Sequence, residues 1–132
     1  MDEIIAALRT LGYKVWDTDA TGADLKLDSL PYLLVLGSSG EASRERTYCD
    51  RDSVDEITVR HVGATRQQVE ALAARTGRIL DRSRLTGTGW IVDVVRTHVR
   101  AAAHDPEVKI PGTSQHPIFL DHVYQAWTQK TR

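Results

Sequence analysis

The segment Val62-Gly63-Ala64-Thr65-Arg66-Gln67-Gln68 is the strongest indicator of the fold, because it joins an alternating segment directly to an amphipathic helix. The segment before it mixes β-branched apolar residues with charged and hydroxyl residues, a pattern typical of a strand with one buried face. Its apolar members are Val54, Ile57, Val59 and Val62. Gly63 ends this strand, and Thr65 with Gln68 three residues later forms a capping box. The sequence therefore predicts a strand followed at once by a helix.

The residues behind the cap predict one main amphipathic helix over about residues 65–82. Apolar side chains recur there at steps of three and four residues, whereas the arginines fall mostly elsewhere on the helical wheel. The stripe consists of Val69, Leu72, Ala73, Thr76, Ile79 and Leu80. A single stripe of this kind covers one face of a sheet.

Shorter elements precede this junction. Residues 2–11 predict a helix, with acidic residues at its positive end and Gly12 as its natural stop. Residues 13–16 predict a brief strand. Residues 32–37 form a continuous apolar run after Pro31, which favours a strand covered on both faces or packed at a subunit contact.

Two further strands are predicted in the C-terminal part of the sequence. Residues 90–100 are rich in Val, Ile and Thr, and Gly87-Thr88-Gly89 before them indicates a turn. In residues 118–130, Phe119, Val123 and Trp127 fall four apart, as in a helix. The preceding Pro117 and the alternation of apolar with polar residues favour a strand instead.

Two long polar segments separate these elements. Residues 38–53 lack apolar periodicity, and residues 101–116 contain the turn pairs Asp105-Pro106 and Pro111-Gly112. The layer rule then predicts an α+β fold in a single domain spanning residues 1–132. Its sheet is expected to be largely antiparallel, with the main helix and the short N-terminal helix packed on one face and the two polar segments projecting as loops or arms.

Composition narrows the class of protein. The chain has 132 residues, three Trp, four Tyr and one Phe, so the core is expected to be thin and oligomerisation to supply further burial. A net charge of -1, from 17 basic and 18 acidic residues, gives no case for a duplex-binding protein. A single Cys49 excludes an intrachain disulfide. Without a signal-peptide pattern or a long apolar run, a soluble protein made in the cytoplasm is expected.

No catalytic, cofactor or metal site is predicted. The five histidines, His61, His98, His104, His116 and His122, match no zinc-binding spacing, and hydrogen-bonded or solvent-facing roles are the common alternative. His61 and His98 are expected to pair across the sheet. Gly87-Thr88-Gly89 precedes a strand rather than a helix, so it has no helix dipole for a phosphate. The sequence also lacks a Gly-x-Ser-x-Gly nucleophile elbow.

The chain resembles the tail terminator proteins of long-tailed (siphovirus-type) phages of actinobacteria in three places. The first is the strand, capping box and helix of residues 57–80. The second is Leu30-Pro31-Tyr32-Leu33-Leu34-Val35-Leu36. The third begins at His116-Pro117-Ile118-Phe119 and ends at Tyr124-Gln125-Ala126-Trp127. The likeness follows the chain in order, and residues 85–116 match less clearly.

This resemblance implies a structural virion protein and not an enzyme. Such a protein assembles as a hexameric ring on the head-proximal end of the tail tube, stops tube polymerisation and meets the head-completion (stopper) proteins, while DNA passes through as cargo. Another head-tail connector, or a small ligand-binding domain or enzyme using His and Asp, remains the alternative. Expected positions for contact with neighbouring chains are the charged cluster of residues 44–51, which is otherwise a solvated loop, and aromatics near the C-terminus. They are Arg44, Glu45, Arg46, Tyr48, Arg51, Lys109, Tyr124 and Trp127.

Overall fold

The computed structural model describes residues 2–17, 30–37, 52–87, 89–106, 109–110 and 114–130. Within these residues the chain forms two helices and one sheet of seven strands. The helices are α1 (Asp2–Arg9) and α2 (Arg66–Leu80). The strands are β1 (Lys14–Asp17), β2 (Tyr32–Gly37), β3 (Asp52–Gly63), β4 (Ser83–Gly87), β5 (Trp90–Val99), β6 (Ala103–His104) and β7 (Ile118–Lys130).

The strand order places the last strand in the middle of the sheet. The order is β1-β2-β3-β7-β5-β4, and β6 also pairs with β7 beyond the end of β5. Only the pairing of β1 with β2 is parallel, and every other pairing in the described sheet is antiparallel. The predicted α+β single domain with a largely antiparallel sheet is therefore confirmed, as is the strand interpretation of residues 118–130.

The β3–α2 junction has the predicted capping box. The Thr65 Oγ1 accepts a hydrogen bond from the Gln68 N–H at 3.1 Å, and the Gln68 Oε1 accepts one from the Ala64 N–H at 2.8 Å. A Cβ at Gly63 would lie 2.8 Å from the Gln68 Oε1 and 2.9 Å from a Val69 methyl group. Because no side chain fits there, Gly63 lets the strand approach the first turn of the helix closely.

Helix α2 ends at Leu80, two residues before the predicted boundary near 82. The Asp81 N–H donates to the Gly77 O at 2.9 Å, and Arg82 adopts a φ of 57°, in the left-handed region. This turn sends the chain into β4, a strand that the sequence analysis missed. With β5 it forms a hairpin in which Gly87 lies opposite Trp90.

Both helices lie on one face of the sheet, here called the helix face. Its central residues are Ile57, Val59 and His61 of β3, Leu120, His122 and Tyr124 of β7, and Val92 and Val94 of β5. Ile4 and Leu8 of α1 and Leu72 of α2 complete the largest hydrophobic cluster on this side. The sheet curls, so that α1 contacts strands from both of its edges, β1 and β4. The predicted packing of the helices on one face is confirmed.

The opposite side of the sheet is here called the open face. Its residues on the central strands are Val54, Glu56, Thr58, Arg60 and Val62 of β3, Phe119, Asp121, Val123, Gln125 and Trp127 of β7, and Asp93 and Val95 of β5. The prediction of one buried face for β3 was wrong. Successive residues of a strand alternate between faces, so Ile57 and Val59 face the helices while Val54 and Val62 lie on the open face, and all four are buried.

The two long polar segments are only partly described. Residues 38–51, which include the predicted contact residues Arg44, Glu45, Arg46, Tyr48 and Arg51 as well as Cys49, lie outside the described residues. Residues 52 and 53 were wrongly assigned to the first segment, because they pair with Gln129 and Thr128 as the start of β3. In the second segment, Ala103 and His104 pair with Phe119 and Ile118, which extends the β5–β7 ladder.

Candidate functional site

The structure separates the three described residues that were predicted to contact other chains. Lys109 is exposed and lies in the segment between β6 and β7. Tyr124 has no exposed surface and belongs to the helix-face core, which is the alternative considered for a strand aromatic. Trp127 points to the other side of the same strand, and 48% of its surface is exposed. Of the two aromatics, only Trp127 presents surface to another molecule.

Trp127 is the centre of an apolar patch on the open face. Val54 lies opposite it on β3, and Asp93 lies opposite it on β5. Val95, two residues after Asp93 and on the same face, is 42% exposed. Ile91, two residues before Asp93, is half-buried. We call Val54, Ile91, Val95 and Trp127 the open-face patch. An exposed aromatic among β-branched residues is typical of a surface that contacts another protein.

A charged pair lies beside Trp127 within this patch. The Arg84 guanidinium donates two hydrogen bonds to the Asp93 carboxylate, at 2.8 Å and 3.2 Å. Both side chains lie at the exposed β4 side of the sheet, and the ion pair lowers the pKa of Asp93 and raises the pKa of Arg84. Because Asp93 lies between Ile91 and Val95 and opposite Trp127, the patch combines exposed apolar side chains with an ion pair.

A second arginine–aspartate pair lies further along the same face. Arg60 donates two hydrogen bonds to Asp121, at 2.9 Å and 3.0 Å, and its guanidinium lies 4.4 Å from the centre of the Phe119 ring. Asp121 is only 2% exposed, so its charge depends on Arg60 for compensation. The hydrogen bond with Asp121 raises the pKa of Arg60. This pair holds β3 and β7 together and is buried far more than the pair at Asp93.

The helix face carries a buried histidine, His61, which follows Arg60 on β3. The His61 Nδ1 lies 2.8 Å from the Leu120 O, and its Nε2 lies 2.9 Å from the Thr76 Oγ1. A carbonyl oxygen only accepts, so Nδ1 carries the proton in the neutral ring. The single Thr76 hydroxyl proton then goes to Nε2 at 2.9 Å, and the Leu72 O at 3.2 Å is the competing acceptor. Burial lowers the pKa of His61 to about 4, which keeps the ring neutral at pH 7. His61 therefore ties α2 to the sheet.

His122 and Tyr124 continue this buried polar row. The ring centre of His122 lies 5.0 Å from that of His61 and 6.0 Å from that of Tyr124. A hydrogen bond of 3.1 Å joins the His122 Nδ1 to the Tyr124 hydroxyl. Burial lowers the pKa of His122 to about 4, with a further contribution from Arg96, and burial raises the pKa of Tyr124. Because both histidines have hydrogen-bond partners inside the core, the row is suited to a structural role.

His61 and His98 do not pair across the sheet, contrary to the prediction. Strand β7 lies between their strands, and His98 is opposite Val123. In the described part of the chain, no group of three or more His, Cys, Asp or Glu residues lies close enough to hold a metal ion. Neither described helix is long and apolar enough to cross a membrane.

Val95 and the Arg60–Asp121 pair were not predicted from the sequence as features of one surface. Alternation within each strand was visible, but which strands are neighbours was not. Once β3 is placed beside β7, Arg60 and Asp121 fall opposite each other, and Val95 falls near Trp127. Comparison of the chain with protein-family models and with curated proteins finds no match.

Proposed function

We propose that this protein is a tail terminator of a long-tailed phage. It assembles as a hexameric ring on the head-proximal end of the tail tube, and it meets the stopper protein on its other side. The ring is a structural part of the virion, and DNA passes through it as cargo. No reaction is catalysed, because the bound ring acts by occupying the surface on which the next tube ring would add.

The observation that carries this proposal is where the resembling segments lie. Residues 30–36 and 118–127 are far apart in the sequence, yet they form β2 and most of β7, on either side of β3. The third segment, residues 57–80, is the end of β3 with α2. The segments therefore make up one contiguous body, the centre of the sheet and its main helix. The less similar residues 85–116 form mostly the β4–β5–β6 side.

The open-face patch supplies a contact suited to ring formation. In a closed ring, each subunit presents one surface to a different surface of the next subunit. Trp127 and Val95 are apolar, exposed and set on neighbouring strands, with the Arg84–Asp93 pair directly beside them. Burial of an exposed aromatic is a common source of binding free energy between subunits. We assign this patch to the subunit contact.

The decisive experiment removes the gene from its phage and measures tail lengths by negative-stain electron microscopy. Overlong tails without heads are expected, because tube polymerisation has no stop. Tails of normal length that fail to join heads would favour another connector protein instead. Normal tails attached to heads would overturn the proposal.

Complementation then tests the patch itself. Plasmid-borne wild-type protein is expected to restore tail length, whereas Trp127→Ser is expected to fail or to give a broad length distribution. The matched control is Val99→Ser, which removes a side chain that is 55% exposed on the neighbouring strand but outside the patch. Equal rescue by Trp127→Ser and Val99→Ser would rule out the patch as the subunit contact.

A further inference from the structure

An open groove of about 460 Å³ lies where α1 turns into β1. It is lined by Arg9, Gly12, Tyr13, Lys14, Val15 and Trp16. β1 is one of the two edge strands of the described sheet, so the groove follows a border of the sheet. The volume is within the range of ligand-binding clefts, and it lies outside the open-face patch.

The turn that shapes this groove is fixed by main-chain hydrogen bonds. The N–H groups of residues 10, 11 and 12 donate to the carbonyls of residues 7, 8 and 9, at 3.2, 3.1 and 3.1 Å. Gly12 has a φ of +83°, and a Cβ there would meet nothing within 4 Å. Because the terminal carbonyls of α1 already accept hydrogen bonds, the negative end of the helix is partly neutralised beside the groove.

Three cations surround this groove. Arg9 and Lys14 line it and are exposed. Arg75 of α2 reaches it from one side, because its Nη1 donates to the Tyr13 hydroxyl at 2.8 Å and its guanidinium lies 5.9 Å from the Tyr13 ring centre. None of the six lining residues is acidic. The surface around the groove is therefore basic, although the net charge of the whole chain is -1.

Two aromatic side chains lie among these cations. Tyr13 and Trp16 line the groove and are both half-buried, Tyr13 against the helix-face cluster and Trp16 against Tyr32 and Val62 of the open face. Cations alone would suit any anion, including an acidic peptide. Cations interleaved with aromatic rings suit a ligand that carries both phosphates and flat bases, since the rings contact bases while the cations contact the backbone.

We propose that this groove binds single-stranded nucleic acid. Arg9, Lys14 and Arg75 contact consecutive phosphates, and a base packs against the exposed part of Tyr13 or Trp16. The groove holds only a few nucleotides, so binding is weak to moderate. It is independent of sequence because no side chain is assigned to hydrogen-bond with base edges, and it is sensitive to salt because cations contact the phosphates. This inference does not depend on the proposed tail function.

The test is fluorescence anisotropy of a labelled oligothymidylate of about 12 nucleotides, titrated with the full chain at low and at moderate salt. The double variant Arg9→Glu/Lys14→Glu is expected to bind at least about tenfold more weakly. The slope of log K against log salt is expected to become smaller by about 0.7 for each lost phosphate contact. Arg9→Gln/Lys14→Gln, which removes the charges without reversing them, is expected to show an intermediate loss.

The matched control is Arg100→Glu/Lys109→Glu, which changes the net charge equally at two exposed residues outside the groove. It is expected to bind the oligonucleotide within about twofold of wild type. The proposal would be overturned by an oligonucleotide that fails to bind the wild-type chain, or by equal losses in the two charge-reversed variants. Displacement of the oligonucleotide by polyglutamate at equal charge concentration would also overturn it, and would assign the groove to acidic peptides.

Discussion

Neighbouring residues on β3 and β7 point to opposite faces of the sheet, and their polar groups are charged on one face and neutral on the other. Arg60 and Asp121 lie on the open face as a charged, doubly hydrogen-bonded pair. His61 and His122, the next residues along each strand, lie beneath α2 as neutral rings with pKa values of about 4. At these four positions the sheet carries charge on the side without a helix and neutral rings beneath α2, because a covering helix removes the water that a charge needs.

The largest expected difference between the faces comes from the two aromatics of β7. Tyr124→Ala should lower the free energy of unfolding by about 3 to 5 kcal/mol, because it empties a fully buried site and removes the partner of His122. Trp127→Ala, on the open face, should lower it by about 1 kcal/mol or less. Urea unfolding followed by circular dichroism measures both. Similar losses in the two variants would contradict the assignment of the faces.

Acid should destabilise the fold through the buried histidines of the helix face. The pKa of His61 is about 4 in the folded chain against an ordinary value of 6.5, so the unfolded chain binds a proton more readily. The contribution of neutral His61 to the free energy of unfolding is fully present above pH 6.5 and is lost as the pH decreases toward 4. The loss is on the order of 3 kcal/mol. Urea unfolding between these pH values tests the prediction.

His61→Gln provides the variant for that experiment. The variant should be less stable at neutral pH, because it loses the hydrogen bonds of the His61 ring. It should lose less stability on acidification, because glutamine cannot take up a proton in this range. A dependence on pH as steep as that of the wild type would exclude His61 as its cause.

The two arginine–aspartate pairs of the open face give a comparison within one face. Asp121→Ala should lower the free energy of unfolding by about 2 kcal/mol, because it leaves the half-buried Arg60 without its partner. Asp93→Ala removes the carboxylate partner of the exposed Arg84 and should lower the free energy of unfolding by clearly less. Equal effects in thermal or urea unfolding would show that burial does not distinguish the pairs.

The smallest expected effect concerns the hydroxyl that joins α2 to the sheet. Thr76→Val keeps the shape of the side chain but leaves the His61 Nε2 without a donor, at a cost of about 1 to 2 kcal/mol. The proton should stay on Nδ1, because the Leu120 O still accepts from it, whereas Nε2 loses its hydrogen bond. Nitrogen chemical shifts of His61 report this, and unchanged shifts would argue against the hydrogen bond from Thr76.

Local patterns in the sequence were sufficient for much of the fold. The capping box placed the start of α2, because Thr65 and Gln68 act within one turn of the helix. The alternation in residues 118–130 distinguished a strand from a helix. Each of these features depends on neighbours in the sequence, so no knowledge of tertiary contacts was needed.

The remaining features depend on contacts that no local pattern specifies. β4 has a single large apolar residue, Leu85, so its sequence alone does not predict a strand. Pairing with β5 stabilises it. Tyr124 and Trp127 are both aromatic, yet one is core and the other is surface because they lie on opposite faces of β7 and the helices cover only one of those faces. The groove at Tyr13 depends on Arg75, which is 62 residues away in the sequence.

The position of β7 has a consequence for how the chain folds during synthesis. This strand pairs with β3 on one side and with β5 and β6 on the other, so it joins two otherwise separate strand groups. Because residues 118–130 are made after both groups, the ribosome releases most of the domain before its central ladder can close. Folding of this kind has a high contact order and is slow. Until then the unpaired edges of β3 and β5 are exposed to chaperones and to other nascent copies.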